Sequence, residues 1–334
     1  MSFLTLNVTF FSAAVALILS PLFFWLSRRL TLVDVPGREP HKQHTTPMPI
    51  AGGLVLLGTL ILIGLGFRIF NLPEVKSLLI PALIIFLFGL WDDLRGISPL
   101  WKFIGQLLAA AALIVSGVQV LLFAQPWLNY AVTMLWVVGI TNAYNFVDSM
   151  DGLVVGLGGL AAAFFMLVTF DSGQQGLSVF SAAVLGACIG LFYFNAPPAK
   201  YFMGDSGSQF LGFLMAALGI AYNPVGFEPY ASWYVPILLM AVPIFDTTLI
   251  VFSRLRRGHP VFIGAHDHTY HRLVALGISP NRAVLTMQIA ALLLGTLAFI
   301  ALTLPPLIAN IIFGAILLLG VIVILFLDSP RIQA

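Results

Sequence analysis

Apolar runs set the pattern of this chain. Eleven mostly hydrophobic stretches follow one another, at roughly 5–27, 50–70, 77–91, 101–123, 127–147, 152–170, 177–196, 207–222, 232–253, 283–303 and 306–327. A helix that crosses a bilayer needs about 20 such residues. The pattern therefore predicts an all-α, polytopic membrane bundle of about 11 transmembrane helices. The third stretch is short, and the fifth and sixth nearly merge through a polar patch. No cationic segment precedes the first stretch and no clear small-residue cleavage site follows it, which predicts an anchor rather than a removed signal peptide. No fixed-period repeat and no linker is visible, so residues 1–334 read as a single integral membrane domain.

Composition gives the same solvent. Charged residues make up 8% of the 334, against about a quarter in soluble proteins. Mean hydropathy is +1.03. These values exclude a disordered chain and a disulfide scaffold, and a net charge of +2 is too small for a basic nucleic-acid binder. The single cysteine, Cys188, can form no internal disulfide.

The few charges orient the bundle. With the N-terminus outside, only Arg68 and Lys76 of the 15 basic residues fall in outer loops, as the positive-inside rule requires. Glu74, Asp171 and Glu228 are the outer carboxylates, while all six histidines fall in inner loops. The chemistry is thus expected at the cytoplasmic face.

Six polar groups stand on that face. Asp92-Asp93 closes the third stretch. Adjacent carboxylates at a low-dielectric boundary repel and favour a cation or a shared proton, and Lys102 can reach the same pocket. Asn142, Asn145, Asp148 and Asp151 follow at steps of three. Each step drifts by about 60° around a helix, so one ion cannot collect all four. Asp148 and Asp151 are expected where Gly152 ends or bends the helix. Such oxygens suit Mg²⁺ and equally suit hydrogen bonds to a sugar or nucleobase. Met203-Gly-Asp205-Ser206-Gly-Ser208 precedes the eighth stretch. There Ser206 or Ser208 could cap the helix and aim free N–H groups at an anion, with Asp205 holding a cation beside it.

Asp246 is ionisable within the ninth stretch, which makes it a functional candidate. It lies about 12 Å along a helix from Arg254, too far to pair directly. His266, His268, His271 and Arg272 form a fifth group. HExxH and cysteine ligands are lacking for zinc, and the group better suits diphosphate oxygens. The first inner loop carries Asp34, Arg38, His41, Lys42, His44 and Gly52-Gly53, and could meet an anionic headgroup or the anionic leaflet.

These motifs resemble the polyprenyl-phosphate N-acetylhexosamine-1-phosphate transferases, the glycosyltransferase 4 group of MraY, WecA and TagO type, and lie closer to its WecA/TagO side. The matching stretches are His44–Gly53, Trp91-Asp-Asp93, Asn142–Leu153, Phe202–Ser208, Pro243–Thr247 and His268–Leu273, in family order. The resemblance implies transfer of a sugar-1-phosphate, GlcNAc-1-phosphate first, from a UDP-N-acetylhexosamine to undecaprenyl phosphate. UMP would be released, in the initiating step of cell-envelope polysaccharide synthesis. It implies a bacterial cytoplasmic-membrane enzyme with Mg²⁺, or Mn²⁺ in its place, and a homodimer as one arrangement.

Carried over residue by residue, Asp205 is a Mg²⁺ ligand with Asn145 as candidate partner. Lys102 contacts the diphosphate, and Asp92 or Asp93 is the general base or lipid-phosphate organiser. Asn142, Asp148, Asp151, Asp246, His44, His268, His271 and Arg272 shape the substrate site. The chain departs from the family in its histidine motif, where Tyr270 takes the middle histidine's position. Three tandem histidines are absent, which disfavours peptidoglycan-precursor transfer and leaves a deoxy-HexNAc donor as the alternative sugar. A membrane transporter is the rival of another class. Transporter sites usually lie near the midplane on broken helices, whereas only Asp246 here lies well inside a stretch.

Overall fold

Proline marks the helix starts. In the computed structural model, which describes residues 2–35, 46–224, 232–259 and 267–329, Pro73, Pro99, Pro126, Pro280 and Pro306 stand in the first turns of their helices. There the missing N–H costs nothing and the fixed φ favours the helix. The helices are α1 Phe3–Arg29, α2 Gly52–Gly66, α3 Pro73–Arg95, α4 Pro99–Val115, α5 Pro126–Val147, α6 Leu153–Asp171 and α7 Gln175–Asn195. They continue as α8 Asp205–Ala221, α9 Val235–Leu239, α10 Ala241–Arg257, α11 Thr269–Ala275, α12 Pro280–Ala301 and α13 Pro306–Leu327. The protein is all-α and polytopic, as the apolar pattern predicts.

Six of the eleven expected spans, α1, α3, α6, α7, α12 and α13, are helices long and apolar enough to cross a membrane. The others differ for local reasons. Helices α2 and α4 have 15 and 17 residues, short of a full span. The ninth stretch breaks at Met240 into α9 and α10. Helix α3 is longer than its apolar run, so Asp92 and Asp93 belong to its last turn.

Helices α7 and α8 form the centre. Helix α7 packs against α1 and α6, and α8 against α3 and α5. Of the apolar window of α13 only 11% is buried, against 72% for α7, so α13 faces lipid. Lipid is as apolar as leucine, so close contact and interhelical hydrogen bonds hold such helices together, at about 0.6–2 kcal/mol per bond. Ser12 Oγ donates to the Ala183 carbonyl at 2.6 Å, and Trp136 Nε1 donates to that of Ala216 at 3.1 Å.

Between α4 and α5 the chain is not helical, and its backbone must find partners inside the protein. Asn129 Oδ1 accepts from the Leu122 and Phe123 amides at 3.0 and 2.9 Å, and Thr133 Oγ1 accepts from that of Val120 at 2.9 Å.

A two-stranded antiparallel ribbon, β1 Val33–Asp34 with β2 Met48–Pro49, leads into α2. Its continuation bridges to the turn before α8, where Ala51 and Gly52 donate N–H to the Phe202 carbonyl at 3.2 and 3.1 Å. The C-terminal ends of α3, α5, α7 and α10 gather with the N-terminal ends of α4, α6, α8 and α11, where side chains of one end bond to the other. The candidate site lies there.

Candidate active site

A close helix crossing builds the centre of the site. Gly89 on α3 meets the start of α8 so tightly that a Cβ there would lie 2.7 Å from the Asp205 carbonyl oxygen and the Ser206 Cα. One turn later on the same face is Asp93. Its Oδ1 accepts from the Asp205 amide at 2.7 Å and its Oδ2 from the Ser206 amide at 3.0 Å. A carboxylate from α3 thus caps α8 from outside, and its charge complements the positive end of the helix dipole. The expected caps, Ser206 and Ser208, do not serve: Ser208 Oγ instead donates to Asn145 Oδ1 at 2.7 Å and to the Gly204 carbonyl at 3.0 Å. Gly204 has φ +69 and ψ 172, backbone open essentially to glycine alone. A Cβ at Gly204 would also sit 2.8 Å from Asp93 Oδ2.

Lys102, in the first turn of α4, bridges the remaining carboxylates. Its Nζ lies 2.7 Å from Asp92 Oδ2 and 2.5 Å from Asp205 Oδ2. Asp92 Oδ1 accepts from the Ile97 amide at 2.8 Å, which fixes the chain between α3 and α4. Asp92, Asp93 and Asp205 each offer an oxygen within 4.8 Å of the others. Three carboxyl groups thus stand around one ammonium. That donor set, all hard oxygens, fits a divalent cation.

Two glutamines complete the cluster. Gln209 Nε2 donates to Asp205 Oδ2 at 2.9 Å, and Gln106 Nε2 donates to Gln209 Oε1 at 3.1 Å. Asn142 Nδ2 donates to Gln106 Oε1 at 2.7 Å, tying α5 into the same chain of amides. Sequence reasoning missed both glutamines. The signal was present: Gln106 follows Lys102 by four residues and Gln209 follows Asp205 by four, the spacing that shares a helix face.

Asp148 ends α5 and Gly152, at φ +74, precedes α6, as the motif spacing predicts. Burial, with the Asp205 and Asp93 carboxylates nearby, pushes the Asp148 carboxyl well above the usual range. Asp151 Oδ2 accepts from the Ala199 amide at 2.8 Å, so this carboxylate anchors the loop between α7 and α8.

A second cluster stands on α10 and α11. Asp246 is 1% exposed. Its Oδ2 lies 2.8 Å from His268 Nδ1, and its Oδ1 accepts from the Thr269 amide at 2.6 Å. Asp246 was expected at the substrate. Here it caps α11 and holds the Nδ1 edge of the His268 ring, leaving Nε2 as that ring's other polar atom. Arg254 donates Nε and Nη2 in a fork to Asp267, each at 2.7 Å. Burial raises the Asp267 carboxyl, and the Arg254 hydrogen bonds and charge outweigh it, holding Asp267 below the ordinary range.

Arg272, also expected at the substrate, is buried with its guanidinium engaged by protein. Nη2 donates to Ser253 Oγ at 2.8 Å, and Nη1 donates to the Leu327 carbonyl and Asp328 Oδ1 at 2.9 and 3.0 Å. The Asp328 side chain also pairs with Arg256 and Arg257, at 2.7 and 2.9 Å. Its role was not visible in the sequence, because it belongs to the last apolar stretch's far end. His44, His41, Lys42, Arg38 and His266 lie outside the described residues.

A carboxylate–lysine cluster, gathered from helix ends at one side of a membrane bundle, defines a membrane enzyme site. Residues 75–223 match the family model described as glycosyl transferase family 4. The chain is 31% identical over 290 residues to the "Probable undecaprenyl-phosphate N-acetylglucosaminyl 1-phosphate transferase" of Bacillus subtilis (strain 168), spanning 83% of this chain and 79% of that one. It is 33% identical over 340 residues to the "Decaprenyl-phosphate N-acetylglucosaminephosphotransferase" of Mycobacterium tuberculosis (strain CDC 1551 / Oshkosh), spanning 89% and 82%. It is 32% identical over 241 residues to the "Phospho-N-acetylmuramoyl-pentapeptide-transferase" of Shouchella clausii (strain KSM-K16), spanning 64% and 74%. The chain belongs to glycosyl transferase family 4 and is a multi-pass membrane transferase, not a transporter.

Proposed function

We propose that this protein transfers N-acetylglucosamine-1-phosphate from UDP-GlcNAc to undecaprenyl phosphate at the cytoplasmic face of a bacterial cytoplasmic membrane, in the initiating step of envelope polysaccharide synthesis. An oxygen of the lipid phosphate bonds to the sugar-bearing phosphorus, the diphosphate P–O bond breaks, and UMP leaves. The names of the two most extensively matched relatives above, both polyprenyl-phosphate GlcNAc-1-phosphate transferases, support the reaction. The single observation that carries the site is Lys102 held between Asp92 and Asp205 beside the Asp93 cap.

Asp205 and Asp92, with Asn145 nearby on α5, are the residues that would hold Mg²⁺, or Mn²⁺ in its place. An ion bound there would supply positive charge to offset that of the phosphates. Lys102 offers a point charge to the diphosphate. Asp93 positions Asp205 by capping α8. The lipid phosphate oxygen is already anionic, so the carboxylates need not remove a proton from it. Asp148, Asp151, His268 and His271 border the nucleotide-sugar side.

Tyr270, in the middle position of the histidine motif, favours keeping a deoxy-HexNAc donor as the second reading. Purified protein with undecaprenyl phosphate, Mg²⁺ and a panel of labelled UDP-HexNAc donors decides both. UDP-GlcNAc is expected to give UMP and a lipid-linked product, with loss of turnover in a chelator and recovery on adding Mg²⁺. Failure of every donor would overturn the proposal.

A further inference from the structure

The chain of amides behind Asp205 can run in one direction only. Gln106 and Gln209 are each 2% exposed, so their amides must find partners inside the protein. At the far end Asn142 Nδ2 donates to the Val138 carbonyl at 2.8 Å and to Gln106 Oε1 at 2.7 Å, which uses both of its hydrogens. Gln106 Nε2 also uses both, on Asn142 Oδ1 at 3.2 Å and Gln209 Oε1 at 3.1 Å. Gln209 is left to turn its own Nε2 to Asp205 Oδ2, at 2.9 Å. A backbone carbonyl can only accept, and so can a carboxylate. Turning any one amide over would set oxygen against oxygen or donor against donor. The two acceptors at the ends therefore decide how every amide between them points.

The same bonds form two rungs between α4 and α8. Lys102 reaches Asp205, and one turn along each helix Gln106 reaches Gln209. Both bonds to the Asp205 side chain fall on Oδ2, and among the described residues none falls on Oδ1. We infer that Gln209 is a positioning residue, itself oriented by Gln106 and Asn142, which holds Asp205 by Oδ2 and leaves Oδ1 to the cation. The inference rests on the proposed role of Asp205 as a cation ligand. It deepens that reading by naming what keeps the carboxylate in place once Lys102 turns to the diphosphate. An amide suits this work, because it donates without adding a charge that would repel the ion. Groups that orient a metal ligand in this way are worth about 10–100-fold in metal affinity.

The test uses the full-length protein in nanodiscs with Mn²⁺ as the probe, its binding followed by electron paramagnetic resonance without substrate. The binding that disappears in Asp205→Asn defines the site. Gln209→Met keeps length and burial and removes the donor, and is expected to raise the Kd for Mn²⁺ about tenfold. Gln106→Met touches no atom of Asp205, yet is expected to raise that Kd in the same direction by a smaller factor. The double variant binds no more weakly than Gln209→Met alone, because Gln106 acts through Gln209. In turnover, Gln209→Met needs about tenfold more Mg²⁺ for half its maximal rate, and at saturating Mg²⁺ it returns to within about twofold of wild type. A packing defect would instead lower the rate at every Mg²⁺ concentration. Should Gln209→Met not fold, Gln106→Met carries the same comparison. An unchanged Kd for Mn²⁺, additive effects of the two substitutions, or a rate that excess Mg²⁺ does not restore would each overturn the inference. If wild-type protein turns over no donor while Gln209→Met still weakens Mn²⁺ binding, the proposed reaction has failed and the inference has not. Wild-type protein that binds no Mn²⁺ would remove the cation from Asp205, and the inference with it.

Discussion

Asp93 and Asp205 carry the same side chain and lie in the same cluster, yet their surroundings give them different work. Both oxygens of Asp93 accept backbone N–H groups of α8, whereas Asp205 meets only side chains, those of Lys102 and Gln209. Asp93→Ala removes a helix cap, and is expected to cost about 1–2 kcal/mol of stability as well as activity. Asp205→Asn keeps the hydrogen-bonding shape and removes a charge. It is expected to leave the unfolding midpoint near wild type and abolish turnover. Thermal unfolding and product formation measured on both variants check the contrast. An Asp93→Ala protein as stable as wild type would dismiss the cap. Both residues were legible as functional from their motifs. What separates them was not, because it depends on which helix end faces each carboxylate.

At the scale of elements, the end of α13 fastens the histidine segment to the bundle. Asp328 is 2% exposed and accepts from Ser253, Arg257 and Arg272, with Arg256 paired to it as well. It thereby ties α10, α11 and α13 at one point. Asp328→Ala would leave three guanidinium groups facing one another, and is expected to cost about 3–5 kcal/mol. Burial raises the Asp328 carboxyl, but the Ser253 and arginine hydrogen bonds bring it down to about 2, below its unfolded value. A depressed carboxyl stabilises the fold above the unfolded pKa, near 3.9. That contribution is lost as pH falls from there toward 2. Unfolding followed from pH 6 to 2 is thus expected to show an acid loss of stability that Asp328→Asn, already lacking the charge, shows to a smaller degree; an identical acid limb in the variant would reject the latch. Arg256 and Arg257 read in the sequence as a positive-inside membrane anchor, and Arg254 as flanking a cavity with Asp246. The structure gives each arginine an acidic partner, since Asp267 and Asp328 are brought to it from 13 and more than 70 residues away.

Over the whole molecule, the charged chemistry collects at one end of the bundle. The opposite end holds Glu74, Asp171 and Lys76, near the turns that start α3 and finish α6. This polarity supports the proposed orientation, with the N-terminus and these three outside. Cys188 is buried, so single cysteines can be introduced as reporters. Lys76→Cys is expected to react with a membrane-impermeant thiol reagent on intact cells, and Arg95→Cys only after permeabilisation. The reverse pattern would invert the topology. Both positions are exposed in the structure.

The solvent, the all-α class, the order of the motifs and the face they share follow from the sequence by itself. Those properties are written in local patterns: the length of apolar runs, the prolines that start helices, and the rarity of charge in a lipid-facing chain. Only the tertiary structure decided which polar groups meet. Asp93 reaches α8 across 112 residues and Lys102 reaches Asp205 across 103. Gln106 and Gln209, from two helices, complete one chain of amides with Asn142. Periodicity reports what a residue does to its own helix. A buried charge needs a partner wherever the packing of helices brings one, and no spacing within a single segment encodes that choice.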